Sequence, residues 1–334
     1  MDTFVFALNA ILPLVLLVAL GSMLRKRGFI DDLFVGRLFA YVYRIALPAL
    51  LFTNVYKIGS LAEIDWTVVL LTVSLIVMFF VLGLISVIVS IKDNRRRGVV
   101  LQAVFRANFA LIGVPLATGL GGSEALKVMS LVTAMVIPLT NVLSIVALAM
   151  FHRDASDNRI APLRVVKSVI TNPLILSVMA GLLVVVIRQF VPVRNGELVF
   201  SLSGTFPFLM TALSWLAQTA TPLALIALGG QFRLSVVREL HREIIQGVMW
   251  KNVIVPAVSL SVLWALRDTF DGIIKAFPAL VAVFSAPVAV SSVVITAEMD
   301  GDETLAGQIV VWSTFASMFS VFVIVVVFRA IGAL

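Results

Sequence analysis

Apolar residues in this chain of 334 residues fall in long unbroken stretches rather than alternating or recurring every three or four positions. A helix needs about 20 mostly apolar residues, rising 1.5 Å each, to cross the hydrocarbon core of a bilayer. Ten such runs are present, at 4–24, 33–56, 66–91, 98–120, 125–150, 169–191, 206–232, 244–266, 275–297 and 304–331. Charges and turn formers stand between them: Arg25-Lys26-Arg27-Gly28, Lys92-Asp93-Asn94, Gly121-Gly122-Ser123, and the stretch from Asp154 to Asn158. The pattern predicts an all-α membrane protein. Residues 1–150 form one five-helix unit, 151–168 a linker too short to fold alone, and 169–334 a second five-helix unit. Met1-Asp2-Thr3 lacks the basic start of a cleavable leader, so the first run reads as a span.

Composition agrees with the pattern. Hydrophobic residues make up 61% and charged residues 13%, against roughly 45–50% and 25% in soluble domains. The net charge of +7 would raise the question of nucleic acid in a soluble chain. Here the cations sort by connection. Fourteen lie in one set: Arg25, Lys26, Arg27, Lys92, Arg95, Arg96, Arg97, Arg153, Arg159, Arg164, Lys167, Arg233, Arg238 and Arg242. The opposite set holds seven, namely Lys57, Lys127, Arg188, Arg194, Arg267, Lys275 and Arg329. Cationic loops stay on the cytoplasmic side, which places both termini outside and the 151–168 loop in the cytoplasm. The excess charge is a topology signal, and nucleic acid is not an expected partner. The absence of cysteine excludes disulfides and thiolate chemistry. The two histidines, His152 and His241, fall in loops. No H-E-x-x-H, G-x-S-x-G or Walker sequence occurs, so neither an enzyme nor a metal or cofactor site is expected.

Ten spans with both ends on one side fit two five-helix halves of inverted topology, a common plan for secondary transporters. Leu47-Pro48-Ala49-Leu50-Leu51 resembles Thr221-Pro222-Leu223-Ala224-Leu225, and Pro115 matches Pro287, at offsets of 174 and 172 residues. Proline within a span removes a hydrogen bond and presses on the preceding turn. Unwound backbone survives in a membrane only against protein or a water-filled cavity. Span 4 carries Asn108 two turns ahead of Gly113 and Pro115, and span 9 carries Ser285, Pro287, Ser291 and Ser292. If both helices break and cross, two half-helix N-termini point inward, each suited to a carboxylate.

The Asn108-x4-Gly113-x-Pro115 run resembles the crossover motif of the auxin efflux carriers, a family whose bacterial members include malonate and malate transporters. Ala46-Leu47-Pro48-Ala49-Leu50-Leu51-Phe52 is similar to that family's span 2 signature, as are Asn172-Pro173 and the stretch from Pro222 to Gly230. The resemblance covers nearly the whole chain. It implies ten helices in two inverted repeats, crossed broken helices 4 and 9, and a homodimer whose scaffold includes helices 2 and 7. It also implies that Asn108 meets the substrate carboxylate. Ser292 stands where the plant carriers have a further proline, and their long cytoplasmic loop is missing. Both departures point to a bacterial member in the inner membrane.

Four cations belong to no loop: Arg37, Arg44, Arg106 and Lys251. Arg37 lies near a helix end and can snorkel or pair with Asp32. The other three lie deep, where ionisable residues normally face a bundle interior or a water-filled cavity. No acid lies at their depth, since Glu63, Asp65 and Glu298 fall near span ends. Uncompensated positive charge suits an organic anion, and Arg offers a carboxylate two parallel donors. Arg106 is the leading anion-attracting residue and Arg44 the next, although either can instead hydrogen-bond carbonyls or reach Glu298 and Asp300 beyond span 9. Asn141 is a further cavity candidate. Gly229-Gly230 reads as a close packing point, and Ser313, Thr314 and Ser317 as ties between helices. The expected function is secondary transport of a small carboxylate, with proton or sodium coupling open. An anion channel and a non-transporting membrane receptor are the alternatives.

Overall fold

The computed structural model describes residues 2–57, 65–151, 171–191, 193–194, 197–198, 201–231, 236–270 and 272–334. The expected linker beyond Phe151, with His152, Arg153, Arg159, Arg164 and Lys167, lies outside them, as do Glu63 and Arg233. Between its loops the described chain is helical, with one two-residue antiparallel ladder, β1 (Val193–Arg194) on β2 (Glu197–Leu198). Its helices are α1 (Asp2–Lys26), α2 (Asp32–Tyr41), α3 (Leu47–Tyr56), α4 (Trp66–Ser90), α5 (Asn94–Phe105), α6 (Val114–Phe151) and α7 (Pro173–Gln189). After these come α8 (Leu202–Thr205), α9 (Pro207–Gln231), α10 (Val237–Met249), α11 (Val255–Ala265), α12 (Gly272–Ser285), α13 (Ser291–Glu298) and α14 (Glu303–Ala330).

Side-chain caps set several starts. Asp31, Asp65, Asp93, Asn172 and Asp302 each accept a hydrogen bond from a first-turn N–H of the helix that follows, which satisfies a donor the helix itself cannot. Gly121 and Gly122 break helical geometry within α6, and Gly122 takes φ 63°, a conformation open to glycine at little cost.

Among the described residues six helical stretches are long and apolar enough to cross a membrane, at 32–56, 66–90, 114–151, 207–230, 237–265 and 303–330, against the ten runs read from the sequence. The shortfall has a physical cause in two of the runs. Those at 98–120 and 275–297 are interrupted, leaving α5, α12 and α13 with 12, 14 and 8 residues.

Three π turns among the described residues share another cause. They cover Val42–Ala46, Phe109–Gly113 and Trp250–Ile254, and each ends two residues before a proline: Pro48, Pro115 or Pro256. Proline cannot donate, and its ring presses on the carbonyl four residues back. Widening the preceding turn relieves that pressure. The N–H groups of Leu47, Gly113 and Val255 then bond five residues back, to the carbonyls of Val42, Asn108 and Trp250. Proline does not dictate this alone, because Pro13, Pro138, Pro222 and Pro278 sit inside ordinary helix. Two of the π turns carry the deep cations Arg44 and Lys251.

Polar bonds sort the helices into two groups. In the first, Tyr41 bonds Thr219, Tyr43 accepts from Asn172, and Arg188 donates to the carbonyl of Tyr56, joining α2 and α3 to α7 and α9. In the second, Arg96 pairs with Asp93, Glu239, Glu243 and Asp302, and Arg95 donates to the carbonyls of Asp300 and Gly301. Gln246 and Trp250 reach Ser86. Those contacts tie α4, α5, α10, α14 and the loop before α14 together, and Gln102 on α5 bonds Thr296 on α13.

α1 packs on α9 through the close approach expected at Gly229. A Cβ on Gly229 would overlap the carbonyl of Val18, and one on Gly21 the carbonyl of Ile226. Backbone cannot yield as a flexible side chain can. Gly229→Ala is therefore expected to destabilise the protein by about 1–3 kcal/mol. Gly36→Ala, with open space at that Cβ, is expected to leave the thermal midpoint in detergent unchanged or raised. Equal midpoints for the two variants would refute the close approach.

Candidate functional site

The two interrupted helices meet each other. α5 ends at Phe105, residues 106–108 leave the helix, and the π turn at Phe109 restarts it. α12 ends at Ser285, and α13 begins at Ser291 after a second non-helical stretch. At the crossing the Asn108 N–H donates to the Pro287 carbonyl across 2.8 Å. The Val288 N–H finds the Ser313 hydroxyl at 3.2 Å, and the Asn252 amide donates to the Ser313 carbonyl at 3.0 Å. Backbone groups freed by one break are thus satisfied by the other break and by a neighbouring serine.

Arg106 caps the C-terminal end of α5, where helix carbonyls carry partial negative charge. Its side chain is buried, at 5% exposure. The guanidinium donates to Asn141 Oδ1 at 2.9 Å and to Ser291 Oγ at 2.7 Å. A third contact, to Gln102 Oε1, is at the 3.5 Å limit. All three acceptors are neutral. Gln102, itself buried, donates in turn to Thr296 Oγ1 at 3.2 Å, tying α5 to α13.

A cavity of about 80 Å³ opens beside this cluster. Arg106, Asn108, Asn141 and Ser291 line it together with Asn54, Thr140 and Thr221. The rest of the wall is apolar, including Leu51, Phe109, Ile137 and Leu174, and among the described residues no acid lines it. The starts of the helical segments after both breaks border it through Phe109 and Ser291, with the N–H groups of Phe109, Ser292 and Val293 bonded to the carbonyls of Ala107, Ala289 and Val290 just ahead of them. A larger cavity of about 410 Å³ shares Leu51, Asn54, Phe109 and Ile137 with it and extends to Lys57.

The sequence candidates separate on this geometry. Arg106, Asn108, Asn141 and Ser291 come together on the cavity wall. Pro287 contributes a carbonyl to the crossing, while Gly113 and Pro115 shape the turn behind it. Ser285 and Ser292 are buried away from the cavity lining, and their hydroxyls have no hydrogen-bond partner among the described residues. Arg44 does not line the cavity. It donates to Glu298 at 3.2 Å with its side chain 70% exposed, the pairing that the sequence left open. Lys251 is fully buried but outside the lining. Arg37 does not take Asp32, which instead accepts from Arg25 at 2.8 Å, because the turn after α1 brings that guanidinium back onto the start of α2. Asn54, Gln102, Thr140 and Thr221 were missed. Gln102 lies one helical turn before Arg106, a spacing that could have marked it.

A family model described as "Membrane transport protein" matches residues 6–325. The chain belongs to this family, that of the auxin efflux carriers. No curated protein matches the chain. The family is one of transporters and not of enzymes, and its match spans the crossing, both cavities and the two helix groups.

Asn141 supplies a charge-assisted bond to a buried cation, and such bonds contribute more than neutral ones. Asn141→Leu is expected to cost about 1.5–3 kcal/mol, measured as a fall in the thermal midpoint of the purified protein. A midpoint equal to wild type would show that Arg106 does not depend on it.

Proposed function

We propose that this membrane transport protein is a secondary transporter carrying small organic anions, with the carboxylate bound beside Arg106 and Asn108 at the crossing. The observation that carries the reading is the setting of Arg106: a buried guanidinium bonded, among the described residues, only to neutral acceptors, on the wall of a cavity without acids. A buried cation without a counter-ion is costly, and an entering carboxylate supplies the missing negative charge. Two helical segments starting at the same wall add partial positive charge. Among the described residues Arg106 is the one cation in the small cavity's lining, and most of its wall is apolar. That favours recognition through a single carboxylate, with malonate, malate and indole acids as the compounds to compare.

The wider layout belongs to the same proposal. The fourteen-to-seven division of loop cations favours termini outside and the 151–168 loop in the cytoplasm. Ten spans in two inverted repeats place each interrupted helix fourth in its own half. Transport would then alternate the access of the crossing between the two faces. A homodimer through helices 2 and 7 is compatible with that layout.

Counterflow into proteoliposomes, with labelled malonate, malate and an indole acid in turn, tests the reading. Saturable exchange of at least one of them is expected. Arg106→Gln is expected to raise its half-saturation concentration on the order of 30-fold or more, and Asn108→Ala to abolish specific uptake. Non-saturable flux with large unitary currents would make the protein a channel. Exchange unaffected by Arg106→Gln would remove that residue from the site.

A further inference from the structure

The two cavities form a path that reaches the crossing from the Lys57 end of α3, through the shared residues Leu51, Asn54, Phe109 and Ile137. Toward the opposite end neither lining includes Arg44, Glu298 or any α13 residue after Ser291. Seven residues beyond Ser291, about 10 Å along α13, Glu298 meets Arg44 at 3.2 Å. Arg44 lies in the π turn that carries the cavity residue Val42 and leads into Leu47. Glu298 is 15% exposed, and its helix leads directly into Asp300 and Gly301, whose carbonyls hold Arg95.

The pair therefore joins the two helix groups. Arg44 belongs with α2, α3, α7 and α9, while Glu298 belongs with α4, α5, α10 and α14. A salt bridge between two polar-bonded groups can break when one group shifts against the other, without disturbing either interior. We propose that the Arg44–Glu298 ion pair is the latch that closes the cavity toward the face bearing Arg95, Arg96 and Arg97, and that its opening admits substrate from that face. This rests on the transport reading for its purpose, but the closure itself is measurable without any transport.

The natural absence of cysteine makes the measurement direct. Thr221→Cys places a single thiol on the cavity wall. A membrane-impermeant sulfonated thiol reagent is then applied separately to each face in sealed vesicles of either orientation. With the pair intact, modification is expected to be fast from the Lys57 face and slow from the Arg95 face. Glu298→Gln or Arg44→Gln is expected to speed the slow reaction by roughly two- to five-fold, the scale of a partly shielded ion pair. Arg44→Lys retains the charge and is expected to stay near the parent rate. Reversing the pair, Arg44→Glu with Glu298→Arg, is expected to restore slow modification.

Unchanged rates in both single variants would overturn the latch. So would a reversed pair as fast as the single variants. Modification from the Lys57 face serves as the folding control. If a neutral variant fails that control, Arg44→Lys decides between the outcomes: opening with the charge retained would also overturn the proposal. Absence of counterflow in the wild-type protein would overturn the transport reading alone, leaving the access measurement to decide the pair.

Discussion

Backbone that leaves the helix inside an apolar bundle must find its hydrogen bonds within the protein, and that constraint organises this structure. Asn108 and Pro287 meet because each break strands polar groups that lipid cannot satisfy. The 2.8 Å bond between them fixes where two interrupted helices cross. Ser313 extends the same arrangement, accepting from Val288 and, through its carbonyl, from Asn252. Once the breaks are pinned together, a carbonyl-rich helix end and the starts of two helical segments converge on one small volume. A polar cavity among apolar spans follows from the accounting of hydrogen bonds.

The cations answer to the same accounting in different ways. Arg106 sits at the negative end of α5 and spreads its donors over Asn141, Ser291 and the more distant Gln102. That arrangement keeps a charge buried without neutralising it, which is what the proposed anion site requires before its ligand arrives. Arg96 shows the opposite arrangement, with four carboxylates around one guanidinium near the helix ends, and serves as a clamp. Arg44 lies between these cases, largely exposed and paired with one carboxylate. Three arginines of one chemistry therefore take three roles, set by the acids within reach.

Proline has a comparable dependence on context. Pro48, Pro115 and Pro256 each follow a widened turn, and those turns bring Arg44, Lys251 and the backbone behind Asn108 into unusual positions. Pro222 and Pro278 lie within ordinary helix despite the same missing donor. The local cost of proline is fixed by its ring, but the response depends on what neighbouring helices offer the freed carbonyl.

Much of this was legible in the residues themselves. Long apolar runs require helices that satisfy their own backbone, so the helical class and the membrane setting follow from hydropathy alone. Asp31, Asp65, Asp93 and Asp302 announce helix starts through a local bond, and Gly121-Gly122 announces a break for equally local reasons. Asn108 and Arg106 could be singled out because polar groups in apolar helices need a partner. Tertiary structure decided which partner. Arg44 went to Glu298, 254 residues away, and Asp32 went to Arg25 instead of Arg37. Asn54, Thr140 and Thr221 joined the cavity wall without any local mark, while Ser285 and Ser292 were buried elsewhere. Composition and spacing specify what each segment needs within a few turns of helix. Only packing between distant segments settles which group supplies it.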